Sequence, residues 1–168
     1  PNSDSKEWTG LIRNEPLLIE PAFFKAIEQK GFVFGFVSGA EAPSAKFVLE
    51  TRLLLQNPPL IAMGEAPEKP DPTGLLKLSR HLAGRSLGKG VPPIAYLGDT
   101  VADILTIKNA QESIPNQTFI SFAVSPPHLH KKNQKANREI YEKTLKEAGA
   151  DKIIPSTKDL IKELFNFF

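Results

Sequence analysis

Short apolar runs alternate along this chain with segments of helical periodicity, and this alternation constrains the fold more than any other feature of the sequence. Apolar runs bounded by glycine, proline or polar residues are typical of buried strands. Strands that alternate with helices predict an α/β fold, with a parallel sheet sandwiched between helices. The predicted strands are FVFGFVS at 32–38, PLIAM at 59–63, PIAYLG at 93–98, TFISFAV at 118–124 and KIIPS at 152–156.

The segments between these strands show apolar residues at helical spacing and have residues that favour helix ends. Pro21 favours a helix start, while Gly31 and Gly149 each follow a periodic segment as a terminating glycine does. Asp71 precedes Pro72 and is suited to capping the helix that begins there. The predicted helices lie at 21–30, 44–55, 72–82, 100–110, 134–148 and 158–165.

Composition excludes several classes of protein. A chain of 168 residues is long enough for one domain with a hydrophobic core. Its net charge of +2 is too small to predict a nucleic-acid partner. The absence of cysteine rules out disulfides, thiolate metal sites and a cysteine nucleophile. The apolar runs are about half the length of a membrane-spanning helix, and no signal segment opens the chain, so we expect a cytoplasmic protein.

Two aspartates follow the strand predicted at 93–98. Asp99 comes directly after it and Asp103 lies four residues later, so both carboxylates can share one face of the next helix. Magnesium binds oxygen and is usually held by one or two carboxylates together with water and substrate phosphate. Asp99 and Asp103 therefore predict a magnesium site at the carboxyl end of the sheet, where such folds bind ligands. The alternative is a helix cap at Asp99 and a solvated Asp103.

A lysine and a hydroxyl precede these carboxylates in the sequence. Lys69 lies in the string PEKPDP at 67–72 and supplies a compact charge that can neutralise a phosphoryl group. Ser38 and Gly39 end the first predicted strand, where a hydroxyl and an exposed backbone N–H can cradle an anion. The alternatives are a surface lysine in a proline-rich turn and an ordinary strand-to-helix turn.

Taken in order, these groups resemble the second, third and fourth motifs of the haloacid dehalogenase (HAD) superfamily of phosphatases and phosphotransferases. The strings GLIRNEPLL, KPDPTGLL and GDTVAD are most similar to a group with a helical cap. The resemblance implies a Rossmann-like core in which Ser38 and Gly39 hold the phosphoryl group and Lys69 neutralises it. It also implies that Asp99 and Asp103 hold magnesium.

The first motif of the family, an Asp-x-Asp after an apolar strand, is missing from this sequence. Residues 1–10 contain Asp4, but no strand precedes it and no aspartate follows two positions later. In the family, the first aspartate forms an aspartyl-phosphate and the second acts as general acid and base. The resemblance thus implies that this chain carries the phosphate-handling groups without the two that make and break bonds.

Two functional hypotheses follow from this pattern. In the first, the chain is the C-terminal part of a magnesium-dependent phosphatase acting on a small phosphorylated metabolite. Residues 1–20 are then the end of a helical cap and its return linker, and residues 21–168 the core. In the second, the chain is an inactive HAD-like domain that binds a phosphate compound or a protein partner.

The family's strand order adds an expectation about the sheet. The first-motif strand lies between the strands that end at Ser38 and Asp99. Without it, those strands face each other across about 9–10 Å, which is two strand spacings. Unpaired buried backbone groups are costly. We therefore expect either that a preceding segment or a second chain completes the sheet, or that the strands ending at Ser38 and Asp99 have closed up and spoiled the site.

Overall fold

A computed structural model describes residues 20–167. The helices are α1 (Pro21–Gln29), α2 (Ala42–Lys46), α3 (Thr73–Ala83), α4 (Val101–Ser113), α5 (Lys135–Ala148) and α6 (Leu160–Phe167). The strands are β1 (Phe36–Val37), β2 (Leu60–Ile61), β3 (Ile94–Gly98), β4 (Phe119–Ala123) and β5 (Lys152–Ile153). A π-helical segment (Phe47–Arg52) extends α2, and short 3-10 turns cover Pro127–His130, Lys132–Gln134 and Thr157–Asp159.

The strands alternate with helices and pair only in parallel, which confirms the predicted α/β class. Within the described residues they form two separate sheets, one with the order β1-β2 and one with the order β3-β4-β5. Ladder pairs join Phe36 to Leu60 in the first sheet and Ile94 to Phe119 in the second. No ladder between β1 and β3 occurs in this part of the chain. The absence of the first-motif strand itself stays a prediction, as do the two proposed domain segments, since residues 1–19 lie outside the described residues.

The strand predicted at 32–38 is much shorter in the structure. Only Phe36 and Val37 belong to the ladder, although the flanking amide of Ser38 donates to the carbonyl of Ile61 at 2.8 Å. Phe34, which precedes the ladder, packs instead of pairing, with its ring centroid 5.0 Å from that of Phe24 in α1. The ladder residue Phe36 also contacts Phe24, with 5.7 Å between the ring centroids. The segment predicted as a buried strand is only half-buried, with Val33 71% exposed, and its ladder depends on a neighbouring strand.

The three-stranded sheet is covered on both faces. All five residues of β4 are buried, and its apolar side chains pack alternately on the two faces of the sheet. Ile120 and Phe122 pack with Ile154 and α6 on one face. The other face lies against α3, α4 and α5, through buried residues that include Leu76, Ile107, Ile104 and Leu145.

The helices begin and end at residues whose types favour those positions. Gly84 and Gly149 adopt left-handed conformations at the ends of α3 and α5, which favours glycine at both positions. Asp71 accepts a hydrogen bond from the amide of Thr73 at 2.8 Å, as a residue at a helix start does. Of the helices in residues 20–167, none has both the length and the apolar character needed to cross a bilayer.

Candidate phosphate and metal site

Lys69 connects the two sheets at their carboxyl ends. Its Nζ atom donates to Oδ1 of Asp103 at 2.6 Å, at the start of α4 beside β3. The same atom lies 3.4 Å from the carbonyl oxygen of Val37, the last residue of β1. One side chain thus bridges the ends of β1 and β3, the two strands that do not pair with each other. The structure therefore brings Lys69 and Asp103 together, as the sequence predicted for groups of one site.

Asp103 is an almost fully buried carboxylate with both oxygens engaged. Oδ2 accepts hydrogen bonds from the amides of Asp99 and Thr100 at 3.1 and 3.2 Å and from the Thr100 hydroxyl at 2.9 Å. Thr100 in turn accepts the Asp103 amide at 3.1 Å, which completes a capping box at the start of α4. Oδ1 is used by Lys69. Asp103 therefore fixes both the helix start and the position of the lysine.

Gly98 is what allows Asp103 to lie so close to the end of β3. A Cβ atom at position 98 would stand 2.2 Å from Cβ of Asp103, far inside van der Waals contact. Any larger residue would push the carboxylate away from the Asp99 and Thr100 amides. The glycine of the GDTVAD string thus has a packing role in the site, besides ending the strand.

Tyr96 is the third group on this carboxylate. Its hydroxyl donates to Oδ1 of Asp103 at 3.1 Å, and its ring centroid lies 5.7 Å from Nζ of Lys69. Burial raises the pKa of the Tyr96 phenol, and the negative charge of Asp103 raises it further. The hydroxyl therefore stays protonated and serves as a donor.

The two aspartates have pKa values shifted in opposite directions. Burial alone would raise the pKa of Asp103, but the charge of Lys69 and the hydrogen bonds from Lys69 and Thr100 lower it below its usual value. Burial raises the pKa of Asp99, and the neighbouring charge of Asp103 raises it further. The shifts differ because Lys69 contacts Asp103 directly, whereas its charge lowers the pKa of Asp99 by less than burial and Asp103 raise it.

The peptide groups around Asp99 are held on both sides. Its amide donates to Asp103, and its carbonyl oxygen accepts the hydroxyl proton of Tyr141 from α5. Asp99 directly follows the last residue of β3. Its side chain therefore extends from a backbone position that hydrogen bonds hold on both sides. The structure places it next to Asp103, as expected from their spacing.

Ser38, Gly39 and Lys69 line one cleft of about 310 Å³, between the ends of β1 and β2 and the start of α3. The Ser38 hydroxyl accepts the amide of Ala40 at 3.1 Å, which shapes the turn. A Cβ atom at position 39 would meet nothing within 4 Å, so the backbone there is open to the cleft. Glu68 and Asp71 lie on its rim, and its inner wall is apolar, including Ile61, Ala62 and Leu75.

Magnesium fits part of this arrangement. Among residues 20–167 no three histidine or acidic side chains converge as a metal-binding group. Magnesium does not require three, since one or two carboxylates with water and phosphate suffice. A carboxylate such as that of Asp99 is suited to bind magnesium directly. Both oxygens of Asp103 already accept hydrogen bonds, so its contribution would run through a water molecule.

Sequence reasoning missed Tyr96, Thr100 and Tyr141 as members of this site. Thr100 could have been recognised, because a threonine three residues before an acidic residue at a helix start is a capping-box pattern. Tyr96 lies within an apolar strand, where an aromatic residue indicates only burial. Tyr141 is 42 residues from Asp99 in the sequence, and no local pattern links the two.

Comparison with known proteins identifies the fold but not a close relative. No protein-family model matches the chain, and no curated protein matches it significantly. A solved structure, a phosphonoacetaldehyde hydrolase-like protein from Oleispira antarctica, is similar to it with a TM-score of 0.62 and 16% sequence identity. The match covers 88% of this chain and 55% of that one, so this chain spans about half the length of the neighbour. The chain therefore shares the α/β fold of that neighbour over most of its described length.

Proposed function

We propose that this chain is the phosphate-handling part of a magnesium-dependent phosphatase of the HAD type, acting on a small phosphorylated metabolite. The proposal rests on the position of Lys69. This lysine bridges Asp103 and the end of β1, and it also lines the cleft together with Ser38 and Gly39. A charged lysine fixed on a buried carboxylate can face an anion without moving.

The proposal assigns a chemical role to each of these residues. The Ser38 hydroxyl and the Gly39 N–H bind oxygens of the phosphoryl group, and Lys69 neutralises its charge. Asp103 orients Lys69, and it acts on the metal through water. Asp99 binds magnesium, which supplies additional positive charge to the phosphoryl oxygens when bound.

The bond-making groups come from outside this set. By resemblance, an Asp-x-Asp segment placed between β1 and β3 supplies them. The first carboxylate attacks phosphorus, and the departing alkoxide takes a proton from the second. The second aspartate, now deprotonated, takes a proton from a water molecule that attacks phosphorus. The bond between phosphorus and the first carboxylate breaks, which releases inorganic phosphate and restores that carboxylate. A preceding segment or a second chain is the proposed source, and it would complete the sheet as well as the chemistry.

The structural neighbour supports the hydrolase class. Its name refers to hydrolysis of a phosphonate, a compound with an anionic phosphorus group like that of a phosphate ester. The roles proposed for Ser38, Gly39 and Lys69 are recognition of such a group. A cytoplasmic location remains part of the proposal.

The second candidate is a domain that binds a phosphate compound or a protein partner without catalysis. It is favoured by one observation, the absence of an Asp-x-Asp string anywhere in the 168 residues. The two candidates agree on phosphate binding and differ on turnover.

A phosphate-release assay separates them. The chain is tested alone and as a longer form extended by a strand segment that ends in Asp-x-Asp, against a panel of phosphate monoesters, with magnesium and with a chelator. The phosphatase proposal predicts magnesium-dependent release by the extended form, lost again in its Lys69→Met variant. Phosphate binding without release by either form would favour the binding domain. Release by the chain alone would contradict the need for a completing segment.

A further inference from the structure

The chain contains two tyrosines, and both donate a hydrogen bond to the segment between Gly98 and Asp103. Tyr96, from β3, donates to the side chain of Asp103 at 3.1 Å. Tyr141, from α5, donates to the backbone carbonyl of Asp99. One tyrosine thus holds a carboxylate and the other holds the backbone that carries the second carboxylate.

Tyr141 completes the anchoring of Asp99. The amide before its Cα atom donates to Asp103, and the carbonyl after it accepts from Tyr141. With both peptide groups held, only the side-chain torsions of Asp99 remain free. A ligand placed this way reaches a metal ion with a small loss of conformational entropy.

The helix that carries Tyr141 is itself fixed to this edge of the sheet. Glu142, the next residue, accepts a hydrogen bond from the buried hydroxyl of Ser125 at 3.2 Å. Ser125 follows Val124, whose amide donates to the carbonyl of Gly98 at 3.0 Å. Two consecutive residues of α5 therefore contact the ends of β3 and β4, which sets the distance from Tyr141 to Asp99.

We propose that Tyr141 and Tyr96 are positioning residues of the magnesium and phosphate site: Tyr141 sets the position of Asp99, and Tyr96 sets that of Asp103. The proposal rests on the function proposed above, because it assigns Asp99 to the metal. Each hydroxyl is proposed to act through an aspartate and not on the substrate itself.

A role in stability alone is the competing explanation, and metal affinity distinguishes the two. Magnesium is titrated calorimetrically into the full chain and its Tyr141→Phe variant, and thermal midpoints are recorded for both. Removing an outer-shell partner of a metal ligand typically weakens metal binding by about 10–100-fold. We expect a loss of this size in Tyr141→Phe, with a midpoint within a few degrees of the parent.

Two further variants control for disturbance of α5. Thr144→Ala removes a side-chain hydroxyl that bonds only within the helix, to the carbonyl of Ile140 at 3.2 Å, and should leave magnesium affinity unchanged. Glu142→Gln removes the charge that pairs with Arg138 and weakens the hydrogen bond from Ser125, and it leaves the hydroxyl of Tyr141 in place. We expect it to lower the affinity far less than Tyr141→Phe does.

The measured affinities for magnesium and phosphate test each assignment separately. Equal magnesium affinity in the parent and Tyr141→Phe overturns the assignment of Tyr141, while the proposed metal site stands. Equal losses of magnesium affinity in Glu142→Gln and Tyr141→Phe also overturn it, because the loss then comes from disturbed packing of α5 against the sheet. Tyr96→Phe is expected to weaken binding of inorganic phosphate by several-fold, and unchanged binding overturns its role. A parent chain that binds no magnesium refutes the proposed metal site, and the inference about Tyr141 with it.

Discussion

The two sheets of this molecule differ in how completely each is built. In the β3-β4-β5 sheet, five consecutive residue pairs join β3 to β4, and β4 is buried along its whole length. In the β1-β2 sheet, two pairs form the ladder, and the strand residues are only partly buried. Both sheets pack against helices. They also share an edge strand at the candidate site: within the described residues, β1 pairs only with β2, and β3 pairs only with β4.

This comparison explains why the candidate site occupies the region between the sheets. Lys69 contacts both edges, and the carboxylates lie on the β3 side while the open glycine turn lies on the β1 side. The longer sheet thus supplies the buried, hydrogen-bonded carboxylate of Asp103 and the half-buried Asp99, whereas the shorter sheet supplies accessible backbone.

The largest effect is expected from a pair of glycine substitutions, one in each half. In Gly98→Ala the added methyl would overlap Asp103, so the carboxylate must shift and the capping box must loosen. Such overpacking typically costs about 1–3 kcal/mol of unfolding free energy. Chemical denaturation should show this loss.

Gly39→Ala is the matched control, because its added methyl meets nothing within 4 Å. It should change the free energy of unfolding by less than about 0.5 kcal/mol. Similar losses in both variants would contradict the difference between a tightly packed β3 end and an open β1 end.

The next effect concerns the bridge between the sheets. Lys69→Met removes the cation from a nearly buried carboxylate, and Asp103→Asn removes the charge it pairs with. Both single variants should be destabilised, and the double variant should be less destabilised than their sum. A coupling free energy of about 0.5–3 kcal/mol is expected for groups in direct contact.

A double-mutant cycle by urea unfolding measures this coupling. The exposed pair of Lys143 and Glu147 on α5, with 3.9 Å between its charged atoms, provides a reference cycle. Exposed pairs of this kind contribute about 0.2–1 kcal/mol at most. Coupling between Lys69 and Asp103 no larger than in this reference would refute the bridge as an organising contact.

A smaller effect is expected in the dependence of stability on pH. The pKa of Asp103 is lowered in the folded state, so its contribution to stability is present above its unfolded value of about 3.9 and is lost as pH falls through its folded pKa. Asp103→Asn should therefore flatten the acid limb of the unfolding free energy, measured between neutral pH and acid denaturation.

Asp99 should show the opposite sign. Its pKa is raised in the folded state, so stability is lost as pH rises from about 3.9 through the folded pKa. Asp99→Asn should gain stability at neutral pH in the absence of metal, while it loses magnesium binding. A variant that is less stable at neutral pH would show that the carboxylate has a structural partner.

The sequence predicted most of the fold because its signals are local. Apolar runs mark the strands, and glycines mark the ends of α3 and α5. The ladder length of β1 was not predictable, since Phe32 to Phe34 are as apolar as Phe36 and Val37 and differ only in having no paired neighbour in the described part of the chain. Pairing is a property of two strands, and one apolar run does not encode it.

The candidate site was predictable in part for the same reason. Ser38 and Asp99 were proposed from their places at strand ends, Asp103 from its spacing to Asp99, and Lys69 from the PEKPDP string. The structure brings Lys69 to Asp103. That Asp103 is saturated by hydrogen bonds could not be read from a spacing of four residues. Tyr141 reaches Asp99 only because α5 docks against the sheet, which is a tertiary contact.

Lys69, which bridges the two sheets, is proposed to form an anion site with the turn at Ser38 and Gly39. Inorganic phosphate is titrated, with magnesium present, into the full chain while its backbone amide resonances are followed. We expect saturable shifts at Gly39 and Ala40 that are lost in Lys69→Met and kept in Lys143→Met, the exposed control. Equal saturable shifts in the Lys69→Met variant, or none in the parent chain, would contradict it.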